Sequence, residues 1–295
     1  APGSQNFKLT RKYYTEDMPD GRVKHIVQNI TDPDIVPYIP DGIGNSTDRQ
    51  RIPAVLIIPG GAFRRLVYNF EGEDVAKWLN SMGIAAFVLE CRLPSDEHDN
   101  AEDVPLIDAM RAMRVIRGRA QEFGIDEAKI GVMGFSAGGF MAALLSTAYE
   151  SDVYADYKYK DEYDKLSARP DFAVCSYPVI SIDDCIEAGK RYMSEEQVLE
   201  RISDSKAKIL HKYNPDKLVR PDMPPVFICE TDDDRTTLSE NSVGFYMAAR
   251  KAGVSAELHI FRTGGHGYGC GDDFAQTGEW KVLFTKWIKS IGIIS

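Results

Sequence analysis

Short, almost wholly apolar segments recur along the chain from residue 53 onward, and stretches with helical periodicity separate most of them. Runs of four to eight apolar residues without alternation are typical of strands that are buried on both faces. The pattern therefore predicts an α/β fold with a mostly parallel central sheet and helices on both faces. The predicted strands cover residues 53–59, 84–91, 129–135, 172–177, 226–230 and 256–261.

The helices are predicted from apolar side chains that are spaced three and four residues apart, most clearly over residues 103–120. Further upstream, residues 22–30 favour a strand, and residues 32–43 carry three prolines and are predicted to be extended or turning. The remaining predicted helices cover residues 72–81, 137–149, 240–252 and 279–290.

Residues 1–295 are predicted to form a single domain, because no internal repeat or low-complexity tract divides the chain. Residues 150–224 interrupt the strand–helix alternation and are predicted to be an insertion. Two interpretations stay open: a solvated surface excursion, or a cap over the site in which some tyrosines line a substrate cleft. The tyrosines in or directly before its first part are Tyr149, Tyr154, Tyr157, Tyr159 and Tyr163.

The charge balance limits the class of partner. The chain has 45 Asp and Glu against 35 Lys and Arg, a formal net charge of −10, which argues against nucleic acid or an anionic membrane surface as a partner. No apolar run approaches the roughly 18 residues of a membrane span. The five cysteines are odd in number and have no C-x-x-C spacing, which argues against a zinc site or a disulfide framework. The chain begins with alanine, which fits either signal-peptide removal or an added leader, so the compartment stays open.

Residues 134–138, Gly-Phe-Ser-Ala-Gly, match the G-x-S-x-G nucleophile pattern. An apolar strand leads into this pentapeptide and a helix of small residues leads out of it. The sharp turn forces the serine into a strained backbone conformation, and the flanking glycines leave room for the turn to close. The helix N-terminus also favours a developing anion. Ser136 is therefore the predicted nucleophile.

A nucleophilic serine needs a base, and the base needs an orienting acid. His266 alone among the five histidines lies in a glycine-rich loop after the last predicted strand, and it is the predicted general base. Asp232, Asp233 and Asp234 follow the preceding strand, and the residues by themselves do not choose among these three carboxylates. The chain order serine, acid, histidine is that of α/β-hydrolases.

The tetrahedral intermediate of acyl transfer needs backbone donors for its oxyanion. Residues 59–63, Pro-Gly-Gly-Ala-Phe, follow the first buried strand, and their small side chains allow the backbone to approach a substrate. The predicted donors are the N–H groups of Gly61, Ala62 and Ala137. Three aromatic residues next to these motifs are predicted to contact the substrate: Phe63, Phe135 and Tyr268.

With these motifs in order, the chain from about residue 30 to its end resembles the α/β-hydrolase esterases. More narrowly, it is similar to the bacterial acetyl-esterase and xylan-esterase group related to hormone-sensitive-lipase-like enzymes. In such families the acid lies four residues after the leading position of its motif, and Glu230 stands at that position here, which selects Asp234. The chain departs from the family's His-Gly-Gly-Gly loop, because residues 59–62 read Pro-Gly-Gly-Ala. Further blocks that carry the resemblance are residues 36–41, 89–94, 105–109, 176–181 and 264–269.

The resemblance implies a serine carboxylesterase that hydrolyses short acyl esters, such as the acetyl groups of acetylated xylan, through a Ser-His-Asp triad and an acyl-enzyme. It implies a small-molecule or oligosaccharide ester substrate, no cofactor and no metal. The main competing hypothesis is a feruloyl-type esterase on plant cell-wall polysaccharide, because a tyrosine-rich insertion would suit an aromatic acyl group. A serine exopeptidase and a non-catalytic binding protein on a hydrolase scaffold are weaker hypotheses. Acyl length, the alcohol half of the substrate and oligomeric state stay open.

Overall fold

A computed structural model describes residue 6 and residues 8–42, 51–155, 161–191, 193–194, 196–197, 208–271 and 276–295. Within these residues, a seven-stranded sheet forms the centre of the molecule. Its strands are β3 (Asp34–Tyr38), β4 (Ile52–Ile58), β6 (Ala85–Glu90), β7 (Ile125–Phe135), β8 (Ala173–Ser176), β9 (Val226–Thr231) and β10 (Ala256–Phe261). Their spatial order is β10-β9-β8-β7-β4-β6-β3, and only β3 pairs antiparallel with its neighbour. The predicted α/β-hydrolase fold is confirmed.

Alternation along the buried strands sends side chains into two separate cores, one on each face of the sheet. In β4, Leu56 packs into one core, while Val55 and Ile57 pack into the other. This two-sided burial explains why the strands read as continuous apolar runs. The helices are α1 (Asp74–Ser81), α2 (Val104–Gly118), α3 (Ala120–Phe123), α4 (Ala137–Ala148), α5 (Ile182–Lys190), α6 (Lys208–Lys212), α7 (Ser239–Lys251) and α8 (Glu279–Ser290).

The two faces of the sheet are covered by different helices. The core that contains Leu56 also includes side chains of α2, α4 and α7, and the opposite core includes side chains of α1 and α8. All five predicted helices match the structure to within two residues at each end, and α1 begins at Asp74 because a π-helical turn, Asn69–Glu73, precedes it. No described helix is both long enough and apolar enough to cross a membrane.

The N-terminal region adds a small antiparallel sheet of β1 (Lys12–Asp17), β2 (Val23–Gln28) and β5 (Leu66–Val67). Only β2 is predicted from the sequence, because β1 is polar and largely exposed. The proline-rich segment forms β3 at the edge of the central sheet, with Pro37 inside the strand. Edge strands tolerate proline because one row of their backbone groups needs no ladder partner.

Residues 150–224 are not one insertion, because β8 lies within them and pairs with β7 and β9. The part before β8 packs at the amino edge of the sheet, where the parallel strands begin. Helix α4 leaves the carboxyl edge and its 12 residues extend about 18 Å, so Tyr149 lies near the amino edge. The ring of Tyr163 lies against Gly118 at the C-terminal end of α2, and the guanidinium of Arg114 lies 4.0 Å from the Tyr154 ring centroid.

The interpretation that tyrosines of this segment line a substrate cleft is therefore wrong for Tyr149, Tyr154 and Tyr163. Tyr157 and Tyr159 lie outside the described residues. The part after β8 returns to the amino edge by Asp222, which accepts the Tyr149 hydroxyl at 2.7 Å, but it begins at the carboxyl edge, where the strands end. There the hydroxyl of Tyr213 donates to Asp103, directly before α2, at 2.5 Å. Helices α5 and α6 belong to this second part.

Candidate active site

Ser136 lies in the turn between β7 and α4, with φ of 54° and ψ of −119°. A positive φ is unusual for a residue other than glycine and persists only where the surroundings fix it. Both flanking glycines are required, because a Cβ at Gly134 would lie 1.9 Å from the Gly138 carbonyl oxygen. A Cβ at Gly138 would lie 1.9 Å from the carbonyl oxygen of Ile58. The strained turn presents the serine hydroxyl at the carboxyl edge, as the sequence pattern predicts.

The histidine loop, residues 264–269, brings His266 to this serine. The Ser136 Oγ and the His266 Nε2 are 2.8 Å apart. The loop is tied to the end of β9, because Thr231 Oγ1 donates to the Gly265 carbonyl at 2.9 Å. In addition, the Gly265 N–H donates to the carboxylate of Asp233 at 2.8 Å. Asp233 therefore holds the loop backbone rather than the imidazole.

Asp234 is the acid that reaches the histidine. Its Oδ2 lies 2.7 Å from the Nδ1 of His266, and its side chain is fully buried. Thr237 supports the carboxylate twice, by its N–H at 2.9 Å and by its hydroxyl at 2.9 Å, and the Thr236 N–H adds a third bond at 2.7 Å. Burial opposes ionisation of Asp234, but His266 and these donors outweigh it and lower the pKa of the carboxyl. A carboxylate at Nδ1 leaves Nε2 free to accept the serine proton.

The oxyanion loop, residues 59–63, turns tightly beside Ser136. Gly61, Ala62 and Phe63 all have positive φ, at 139°, 56° and 58°. A Cβ at Gly60 would lie 2.9 Å from the Cβ of Ser136, so the glycine lets the loop pack directly against the serine. Ala137 is the first residue of α4, and its N–H has no intrahelical acceptor. The predicted donors thus lie on the two chain segments that flank the serine.

The aromatic residues differ in their placement. Phe63 is the last residue of the oxyanion loop, and its ring packs edge-on against that of Phe140, with 5.5 Å between the ring centroids. Phe135 is completely buried against Tyr177 and Trp280 in the core. The predicted substrate contact of Phe135 is therefore wrong, because alternation along β7 directs its ring into the core beneath the sheet face. Tyr268 is also buried, with its ring 4.5 Å from that of Tyr177, so its predicted contact is not favoured either.

Glu71 is a site residue that the sequence reasoning missed. Its side chain is buried, and its Oε2 accepts the N–H of Gly60 in the oxyanion loop at 2.7 Å. The only sequence signal is an acid shortly after the oxyanion loop, in a stretch with two further acids that are not buried. In the part of the chain that the structure describes, no group of three or more His, Cys, Asp or Glu is arranged to hold a metal ion.

Comparison with known proteins assigns the chain to a family. Residues 43–248 match the family model BD-FAE. The chain belongs to the BD-FAE family. A solved structure of the acetyl ester-xyloside bifunctional hydrolase from Caldicellulosiruptor lactoaceticus is 38% identical, with a TM-score of 0.71 and 89% of each chain covered. The resemblance to the acetyl-esterase and xylan-esterase group is thereby confirmed.

Two further relatives are longer proteins. An acetylxylan esterase of Xylanibacter ruminicola is 31% identical over 240 residues, which cover 81% of this chain and 45% of that protein. The endo-1,4-beta-xylanase B of Butyrivibrio fibrisolvens is 31% identical over 227 residues, which cover 77% of this chain and 34% of that protein. The chain therefore spans less than half the length of either relative.

Proposed function

We propose that the protein is a serine carboxylesterase that removes acetyl groups from plant cell-wall saccharides such as acetylated xylan. The observation that carries the proposal is the continuous hydrogen-bonded chain from Ser136 through His266 to Asp234, at 2.8 and 2.7 Å. The names of an acetylxylan esterase and an acetyl ester-xyloside hydrolase among its relatives support acetylated xylan as the substrate.

In the proposed reaction, the Oγ of Ser136 attacks the ester carbonyl while the Nε2 of His266 takes the hydroxyl proton. Backbone N–H groups of Gly61, Ala62 and Ala137 stabilise the resulting oxyanion. The imidazolium then donates its proton to the departing sugar oxygen, and an acetyl-serine remains. Water, deprotonated by the same imidazole, attacks this ester, and acetate leaves as the serine recovers its proton.

A small apolar cavity beside the oxyanion loop supports a short acyl group. Its volume is about 10 Å³, and its wall includes Gly60, Phe63, Leu93, Ala137 and Met141. A space of this size holds about one water molecule, and an acetyl methyl group is of similar bulk. A feruloyl ring would need a far larger opening. The tyrosine-rich segment no longer favours a feruloyl substrate, because the three described tyrosines of residues 149–165 lie at the amino edge.

The test is a rate profile on acetyl, butyryl, octanoyl and feruloyl esters, together with acetate release from acetylated xylo-oligosaccharide. Ser136→Ala serves as the blank, and Ser146→Ala, a buried serine on the same helix, serves as the matched control. We expect acetyl preference and saccharide deacetylation that Ser136→Ala abolishes and Ser146→Ala retains. Preference for feruloyl esters would favour the feruloyl hypothesis, and absence of Ser136-dependent turnover on every ester would refute the proposal.

A further inference from the structure

A buried carboxylate lies behind the oxyanion loop. Glu71 belongs to the π-helical turn Asn69–Glu73, and π-helical turns are frequent at functional sites. Its side chain is buried, although a carboxylate in a protein interior needs partners to offset its desolvation. Its Oε2 accepts the Gly60 N–H at 2.7 Å and its Oε1 accepts the Tyr177 hydroxyl at 2.9 Å. Because both oxygens accept hydrogen bonds, these two contacts favour the ionised form, against the desolvation that raises the pKa of the carboxyl.

Tyr177 extends this contact to the other side of the serine. Its hydroxyl donates to Glu71 and accepts the N–H of Gly269 in the histidine loop at 3.0 Å. Its ring also packs edge-on against the imidazole of His266, with 5.1 Å between centroids. Tyr177 has a φ of 37°, a conformation that its surroundings must hold in place. One hydrogen-bonded network thus joins the oxyanion loop to the histidine loop, through Gly60, Glu71, Tyr177 and Gly269.

Glu71 also interacts electrostatically with the catalytic histidine. Burial raises the pKa of the Glu71 carboxyl, and attraction to the charge on His266 acts in the opposite direction. Charges in a buried site are weakly screened, so this attraction is stronger than between exposed groups. The titratable and charged groups that face the pair are Lys24 from the small sheet, Tyr177 after β8, Glu230, Asp233 and Asp234 from the end of β9, and Tyr268.

We propose that Glu71 is a positioning residue for the esterase reaction. It holds the oxyanion loop and the histidine loop at a fixed position relative to each other and stabilises protonated His266. The inference rests on the proposed function, since it assigns Glu71 a part in that same reaction. The imidazole becomes positively charged when it takes the serine proton. Ionised Glu71 adds a second buried negative charge to that of Asp234 and stabilises the charged state, while the hydrogen-bonded network fixes where the oxyanion donors lie.

The test compares Glu71→Gln with Glu73→Gln in the full chain. Glutamine keeps the shape and one carbonyl acceptor but removes the charge. Glu73 lies two residues further along the same turn and pairs with Lys77, a pair that is partly exposed, so its loss controls for charge removal nearby. The readouts are kcat, KM and the pH dependence of kcat/KM on an acetyl ester, with Ser136→Ala as the blank. Thermal melting of each variant reports folding.

For Glu71→Gln we expect kcat to fall at least about tenfold with a smaller change in KM. We also expect the acid limb of the kcat/KM profile to move to lower pH by about half a unit or more, because loss of the carboxylate disfavours the imidazolium. Glu73→Gln should match the wild type in both readouts. If the acid limb of Glu71→Gln coincides with that of Glu73→Gln, the proposal is overturned, whatever the value of kcat.

Tyr177→Phe provides a second measurement that does not depend on the folding of Glu71→Gln. This change cuts the link between Glu71 and Gly269 but leaves both carboxylates in place. We expect kcat to fall about tenfold, and a kcat within twofold of the wild type would contradict the proposed link. Absence of Ser136-dependent turnover in the wild type would refute the proposed function itself, which separates the two failures.

Discussion

Arg92 and Asp108 form an ion pair in which neither side chain is exposed to solvent. The Arg92 Nη2 lies 2.6 Å from the Asp108 Oδ1, and the backbone N–H of Arg92 also donates to the carboxylate at 2.9 Å. Arg92 follows β6 and Asp108 lies on α2, so the pair fixes this helix to the end of a central strand. The contact lies at the carboxyl edge, and the two neighbours of Arg92 in sequence, Cys91 and Leu93, line the small cavity beside the oxyanion loop.

Removal of one partner of this pair should be strongly destabilising. Asp108→Ala leaves the buried guanidinium without its carboxylate, and we expect the free energy of unfolding to fall by about 3–5 kcal/mol. The measurement is urea unfolding followed by circular dichroism. Glu122→Ala breaks the exposed pair of Glu122 with Arg119 and should leave the free energy of unfolding nearly unchanged. Equal effects of the two variants would show that burial does not govern the Arg92 pair.

The choice of acid can be tested directly. Asp234→Asn should lower kcat by about 1,000- to 10,000-fold, because an amide no longer holds the histidine tautomer that accepts the serine proton. Asp232→Asn, on an exposed carboxylate two residues earlier, should stay within twofold of the wild type. The measurement is the steady-state rate of each variant on an acetyl ester. A severe defect in Asp232→Asn with an active Asp234→Asn would show that Asp234 is not the acid.

Asp96 predicts a pH effect on stability. Burial raises the pKa of this carboxyl to about 6, although it accepts the Ile30 N–H at 3.0 Å. The folded protein therefore binds the proton more tightly than the unfolded chain, for which the ordinary value is 3.8. As the pH rises from about 4 to 6, ionisation of Asp96 should destabilise the fold by up to about 3 kcal/mol.

Asp96→Asn should remove this dependence because an amide does not ionise in this pH range. The amide oxygen can still accept the Ile30 N–H, so the hydrogen bond is retained. We expect the stability of the wild type relative to Asp96→Asn to decline between about pH 4 and pH 6, as measured by urea unfolding at several pH values. Asp99→Asn, on an exposed residue of the same loop, is the control and should follow the wild type. A wild-type profile parallel to that of Asp96→Asn would contradict the raised pKa.

Substitution of Phe63 tests whether the small cavity determines the preferred length of the acyl group. Phe63→Ala removes a wall of the small cavity beside the oxyanion loop, and we expect the ratio of butyryl to acetyl kcat/KM to rise roughly tenfold. Phe123→Ala removes an aromatic ring that packs against Phe87, away from that cavity, and should leave the ratio unchanged. An unchanged ratio in Phe63→Ala would show that the acyl group binds elsewhere.

The sequence predicts most of the fold because its central strands are buried on both faces and read as unbroken apolar runs. Ser136 and His266 stand out for a similar reason, since each lies among glycines that a tight turn or a close approach requires. Glu71 is different: an acid directly before a predicted helix gives no sign of burial, which depends on its contact with the oxyanion loop. Asp234 could be separated from Asp233 only by family resemblance, because the choice depends on the loop that brings His266 back to the sheet.

The misplaced tyrosines have a different cause. The sequence pattern contains both the strand at residues 172–177 and the helix after Ser136, so it already indicates the direction of the chain. That helix must carry the chain away from the serine, and the strand must return it. A prediction that treats residues 150–224 as one segment ignores this reversal, and composition alone then suggests an aromatic cleft.

The position of β8 divides the chain into regions with different freedom to change length. Segments before β8, at the amino edge, can lengthen or shorten during evolution without touching a bound substrate, provided that the contacts with α2 persist. Segments after β8, including α5 and α6, follow from the carboxyl edge, where the serine lies. Among related enzymes, the sequence differences that change the substrate range should therefore accumulate after β8, a strand of only four residues.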